Sequence, residues 1–273
     1  MNRRLKLLLI VVCTPIVLIT ILILYTQVKY SWSHKKLTEP VVGDLGGVPV
    51  AIPRPFARFV EYGADPHFME RKGWSVPERT FQSKLRSFGF EVRYPDMASV
   101  EVKTPAEKDI HTTMWMRVGI NTGENYGIDD SLDYRKKSRI NSNYPCTSKC
   151  FTYVPLPEKT YDLTGYTPTG SGVDVEKRSI NFGRGTDMRD KNIYYYEDDS
   201  GHVTTFIECS NRAHAAAPCT QFFNLNPLMK AHVTVSYRKG LLPHWQQIQQ
   251  SVTELIYSFE TNPSTYISTK QRN

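Results

Sequence analysis

The chain has 273 residues, of which 40% are hydrophobic and 22% charged, and a formal net charge of +7. Three basic residues and no acidic ones precede an apolar run near the N-terminus, so beyond it 31 basic residues stand against 27 acidic ones. With no block of like charge, the concentrated basic face that nucleic-acid binding needs is missing.

The N-terminus reads MNRRLKLLLIVVCTPIVLITILILYTQVKYSWSHKK. Leu7 to Tyr25 is uncharged and long enough for a helix to cross a hydrocarbon core of roughly 30 Å. The flank that follows offers no small-residue cleavage pair, which predicts an uncleaved signal-anchor over 7–25 after a cytoplasmic stub, 1–6. Cys13 is read as a cysteine inside that span. Arg3, Arg4 and Lys6 on one side balance Lys29, Lys35 and Lys36 on the other, so positive charge gives no orientation. Cysteines do: Cys146, Cys150, Cys209 and Cys219 form two close pairs, which suit two disulfides and an oxidising compartment. In a bacterium that is the periplasm, reached from a single inner-membrane span.

Residues 26–55, polar and then rich in Gly and Pro, are expected to be a tether. Residues 56–260 have the size of one domain, and 261–273 read as a flexible tail. Within the domain, ARFVEYG, SFGFEVRYPD, TTMWMRVGIN, CFTYVPL, KNIYYYE, HVTTFIEC, CTQFFNL and AHVTVSY are short, aromatic and β-branched, and bounded by turn residues, as strands are. In the last, Ala231, Val233, Val235 and Tyr237 alternate with His232, Thr234, Ser236 and Arg238, which predicts a sheet with one wetter face. DDSG suits a hairpin between KNIYYYE and HVTTFIEC, and CTQFFNL would extend it into a meander. A Cys209–Cys219 bridge would pin the SNRAHAAAP loop at its base. Cys146 and Cys150 would close a tighter loop, and their C-x3-C spacing matches neither a redox pair nor a common zinc pattern.

After RKGLLP, Trp245, Ile248, Val252, Leu255, Ile256 and Phe259 recur at helical spacing, with Gln246, Gln247, Gln250, Thr253 and Glu254 on the other side. Pro243 suits the first turn. The expected fold is therefore α+β: a mainly antiparallel meander with a C-terminal amphipathic helix packed on it, plus one N-terminal transmembrane helix.

No nucleophile elbow, zinc-binding helix or phosphate-cradling loop occurs. FGRGTDMRD lacks the strand-then-helix frame of a nucleotide site and reads as a polar turn. The seven histidines fall at no ligand spacing, and His111 beside Asp109 is a common surface pairing. No cofactor and no metal are expected. The polar, tyrosine-bearing stretches NTGENYGIDDSLDYRKKSRINSNYP and DLTGYTPTGSGVD, with the pinned SNRAHAAAP, read as loops of a composition suited to protein recognition. The candidate contact residues are Arg184, Asp187, Arg189, Asn211, Arg212 and His214.

The ending IECSNRAHAAAPCTQFFNL and VTVSYRKGLLPHWQQIQQSVTELIYSF, with FGRGTDMRDKNIYYY and SFGFEVRYPDM before it, resembles membrane-anchored periplasmic proteins of Gram-negative bacteria. These are associated with immunity partners of type VI secretion effectors, and many immunity proteins are lipid-anchored where this chain has an apolar span. The resemblance implies a non-catalytic protein that docks on a secreted effector and carries over no catalytic residue. The alternatives are a structural component of an envelope or secretion complex, and a periplasmic hydrolase.

Overall fold

The computed structural model describes residues 39–66, 75–99, 111–122, 131–140, 152–169, 191–212 and 214–264, with single positions 70, 73, 109 and 266. The predicted span 7–25 lies outside them, and no helix among the described residues is long and apolar enough to cross a membrane. Cys146, Cys150, Arg184, Asp187 and Arg189 also lie outside, as does most of the expected tail.

The first two strands, β1 (Val41–Leu45) and β2 (Val48–Ile52), form a hairpin of their own. Ten more antiparallel strands make one sheet. In chain order they are β3 (Arg58–Tyr62), β4 (Leu85–Arg93), β5 (Ala98–Ser99), β6 (Trp115–Thr122), β7 (Thr152–Pro155), β8 (Thr164–Thr169), β9 (Lys191–Glu197), β10 (Val203–Ser210), β11 (Pro218–Asn224) and β12 (Ala231–Arg238). Across the sheet the order is β3-β4-β6-β12-β11-β10-β9-β8-β7, with β5 beside the far end of β4. The expected meander is β9 to β11, and β12 continues it.

Register rows explain the two faces. Phe90 stands opposite Val118, Val118 opposite Val235, and Val235 opposite Gln221, while one residue further along each strand side chains point the other way. On the first face lies α2 (Trp245–Tyr257), entered through a 3-10 turn, Lys239–His244, that holds Pro243. Trp245, Ile248, Val252 and Ile256 are buried against Phe90, Val233, Val235 and Ile207. Each such side chain contributes about 1.5–3 kcal/mol of transfer free energy. Gln221, fully buried on this face, sets the helix position by donating to the Trp245 carbonyl at 3.2 Å and to Gln249 Oε1 at 2.9 Å while accepting from the Tyr237 hydroxyl at 2.9 Å. The mainly antiparallel sheet with a C-terminal helix packed on it is as the sequence predicts.

Three expectations are corrected. Residues 41–52, taken as tether, form a hairpin whose Val41, Leu45, Val50 and Ile52 enter the main core. The hairpin turns at Gly46 and Gly47, both at positive φ, and a Cβ at Gly46 would come within 2.6 Å of the Lys230 backbone. Backbone bonds hold it: Ala51 N–H donates to Phe259 O, Thr261 N–H to Pro49 O and Lys230 N–H to Gly46 O. In the second case, 164–169 of the expected loop DLTGYTPTGSGVD is strand β8. Finally, 131–140 of the expected loop NTGENYGIDDSLDYRKKSRINSNYP is a helix, α1 (Ser131–Ile140), packed on the second face of the sheet over β10.

Candidate functional site: an open sheet face

The second face is closed at one end and open at the other. At the closed end α1 directs Leu132, Arg135, Lys136, Arg139 and Ile140, a helical i, i+3, i+4, i+7, i+8 stripe, toward the sheet. Three of those five side chains are cations, and they find matching groups. Glu208, only 5% exposed, lies 3.6 Å from Arg135, 3.1 Å from Arg139 and 3.0 Å from Lys191. Arg135 also stacks 3.9 Å from the Phe222 ring centre, and Lys136 sits 4.4 Å over Tyr195 and pairs with Glu197. Burial lowers the Arg135 pKa, and Glu208 opposes that shift. His232 stacks on Phe222, and its Nδ1 is 2.8 Å from Asn224 Oδ1. Burial, with Arg135 nearby, pulls its pKa down to about 4, so this imidazole is neutral at physiological pH.

At the open end a groove of about 580 Å³ runs over β3, β4, β6 and β12. Its floor is made by small side chains in register: Gly89 opposite Gly119, Gly119 opposite Thr234, and Ser236 opposite Arg117. A Cβ on Gly119 would meet nothing within 4 Å, so the space above it is real. The flank is Phe59, 89% exposed and held at φ 52° on an irregularly paired edge strand. A left-handed conformation costs a non-glycine residue roughly 1–2 kcal/mol, and a bare aromatic ring adds hydration cost. Arg58 and Arg117 share Glu91, at 3.8 and 3.5 Å. Arg117 remains 77% exposed.

Beyond Arg117 the same strip continues to Trp115, with the Arg93 guanidinium 5.8 Å from its ring and paired to Asp96, and to Arg238, which donates to the Thr113 carbonyl. At the other end Ser87 donates to Glu61 at 3.2 Å. Among the described residues, the strip at this end thus carries Arg58, Arg93, Arg117 and Arg238, each with a partner in the fold, while the middle of the groove is small and uncharged.

The pinned loop lies beside the arginine-rich end, because Pro218, its last residue, is the register partner of Arg238. The expected Cys209–Cys219 disulfide is present, and both cysteines are buried. The loop is further held by Lys239 N–H on Ala217 O, Gly240 N–H on Ala215 O and Lys239 Nζ on the Arg212 carbonyl at 3.2 Å. Asn211 and Arg212 are half-buried and His214 is exposed, its ring 6.3 Å from that of His111. Asp109 accepts from the His111 amide and the Thr112 hydroxyl, which lowers its pKa, so the carboxylate caps its own turn. Among the described residues no group of three or more His, Cys, Asp or Glu could hold a metal ion. Sequence reasoning named the pinned loop but missed Phe59, Gly89, Arg117 and Gly119. The signal was faint: two glycines inside otherwise strong strands, a recognised mark of close approach by something else.

No protein-family model and no curated protein matches this chain. Among solved structures, it is similar to Smlt3025, an immunity protein of the Stenotrophomonas maltophilia type IV secretion system, at 17% identity over 82% of this chain and 94% of that one, with a TM-score of 0.48. It is also similar to FrpD, an iron-regulated outer membrane lipoprotein of Neisseria meningitidis, at 14% identity over 83% and 94%, with a TM-score of 0.37. Both likenesses are too loose to carry an argument about this chain.

Proposed function

We propose that this chain is a non-catalytic binding protein, anchored in the inner membrane through 7–25, whose periplasmic domain neutralises a secreted antibacterial effector of the type VI kind. The observation that carries the binding role is the open groove: a small-residue floor, an exposed Phe59 in a conformation that costs energy, and an exposed Arg117 at its end suit a protein partner. The buried Cys209–Cys219 bridge supports an oxidising compartment. The resemblance of the ending supports the effector-immunity assignment. A tether on the membrane would raise the inhibitor's effective concentration where an incoming toxin acts.

The test is a competition between sibling bacteria. A strain lacking this chain is expected to die when mixed with siblings that deliver the effector encoded beside it, and to survive when the full chain is restored. Equal survival with and without the chain would sink the neutralisation reading. Capture of envelope-complex subunits by the full chain would then favour an assembly role.

A further inference from the structure

Resting on the reading of the chain as a partner-binding protein, we propose that the groove across β3, β4, β6 and β12 receives an extended acidic loop of a protein. An apolar side chain of that loop seats on the Gly89–Gly119 floor beside Phe59, and a neighbouring carboxylate meets Arg117.

Four observations select this occupant. The volume of about 580 Å³ falls within the roughly 300–1,000 Å³ typical of ligand clefts, enough for a few side chains and too small for a packed helix. Strands β4, β6 and β12 are hydrogen-bonded on both sides, so the floor has no free backbone edge with which to add a strand. Over the floor, recognition therefore comes from side chains, and the free backbone edge is confined to β3 at the flank. The middle is uncharged, lined by Gly89, Gly119, Thr234 and Phe59, which suits an apolar anchor. At the far end Arg117 is 77% exposed and meets Glu91 only at 3.5 Å, sharing it with Arg58, which favours a further carboxylate on its outer side, and Glu91 beside it disfavours a dense anion such as free phosphate. Phe59 completes the arrangement as an exposed aromatic at the rim, the kind of residue that dominates binding energy once a partner covers it.

The experiment pans a random peptide library displayed on phage against the full chain in detergent, with two variants in parallel. Gly119→Trp fills the groove from a position where a Cβ touches nothing, and Arg117→Glu reverses the charge at an exposed site. The expected result is enrichment of sequences in which one large apolar residue is flanked by Asp or Glu. Their binding should weaken by about tenfold or more on either variant. Arg117→Glu should regain binding to the same peptides with Lys in place of the acidic residue. No enrichment over a bare surface, enriched sequences without acidic residues, or equal binding to Gly119→Trp and the wild type would overturn the proposal. Because no effector is used, this outcome is independent of the survival test: peptides can bind the groove whether or not the chain confers immunity.

Discussion

The two faces of the same sheet are built by alternate residues of the same strands, yet they end differently. The face under α2 is sealed by carbon: Phe90, Val118, Val233 and Val235 meet Ile248, Val252 and the β1–β2 hairpin, and its buried polar side chains, such as Gln221 and Thr122, are hydrogen-bonded. The opposite face is covered at its β10 end by a helix that reaches the sheet with arginines, and among the described residues nothing covers its β4–β6 end. Stability is concentrated on the first face, and the proposed recognition lies on the second. The lesson is that a sheet with a complete core on one side can leave part of the other uncovered, and small residues there keep it open.

Substitutions should separate the faces by the size of their effects. The largest belongs to the sealed side. Phe90, with its ring centre 5.6 Å from Phe56 and 6.3 Å from Phe259, is expected to cost about 3–5 kcal/mol when changed to Ala, read by urea unfolding. A loss well under that range would mean the seal is loosely packed. Next is pH. His232 has its folded pKa depressed to about 4 against an unfolded value near 6.5, so its neutral form is favoured by folding. The associated stability is complete above about pH 6.5 and is lost as pH falls toward 4, by up to about 3 kcal/mol. His232→Gln should flatten that part of the stability curve, and an unchanged curve would remove the imidazole from the account.

Smaller is the closed end of the second face. Glu208→Gln leaves Arg135, Arg139 and Lys191 facing a neutral group, but these cations reach water, so about 2 kcal/mol is expected instead of the roughly 3–5 kcal/mol of a fully buried pair. The loss should show as faster hydrogen exchange in residues 131–140, and unaltered exchange there would argue that Leu132 and Ile140 alone hold the helix. The smallest effect on stability is predicted for Phe59→Gly. Releasing the left-handed conformation should leave the unfolding midpoint unchanged or raise stability by up to about 1 kcal/mol, while partner binding falls. A clear drop in stability would make Phe59 a structural residue.

Most of the sheet and its C-terminal helix were legible because their apolar positions follow simple periods of two and 3.6. Cys209 and Cys219 were legible as a pair because each ends or begins such a strand. Helix α1 was hidden since its inward stripe is Leu, Arg, Lys, Arg, Ile, and a cation that packs on an aromatic ring or a buried carboxylate looks like a solvent residue in sequence. The hairpin was hidden because VVGDLGGVPVAI mixes strand residues with the Gly and Pro of a linker. Its Gly46–Gly47 turn was the available clue. The groove could not be read at all from spacing. Gly89 and Gly119 come from strands far apart in sequence and matter through the side chains they lack, and only the register places them opposite one another.

The most direct measurement is titration calorimetry of the full chain against the effector encoded beside it, comparing wild type with Gly119→Trp. Tight one-to-one binding by the wild type, weakened by about a hundredfold or more in a variant of unchanged thermal stability, is the predicted result. Equal affinity for both would contradict the assignment of recognition to the open face.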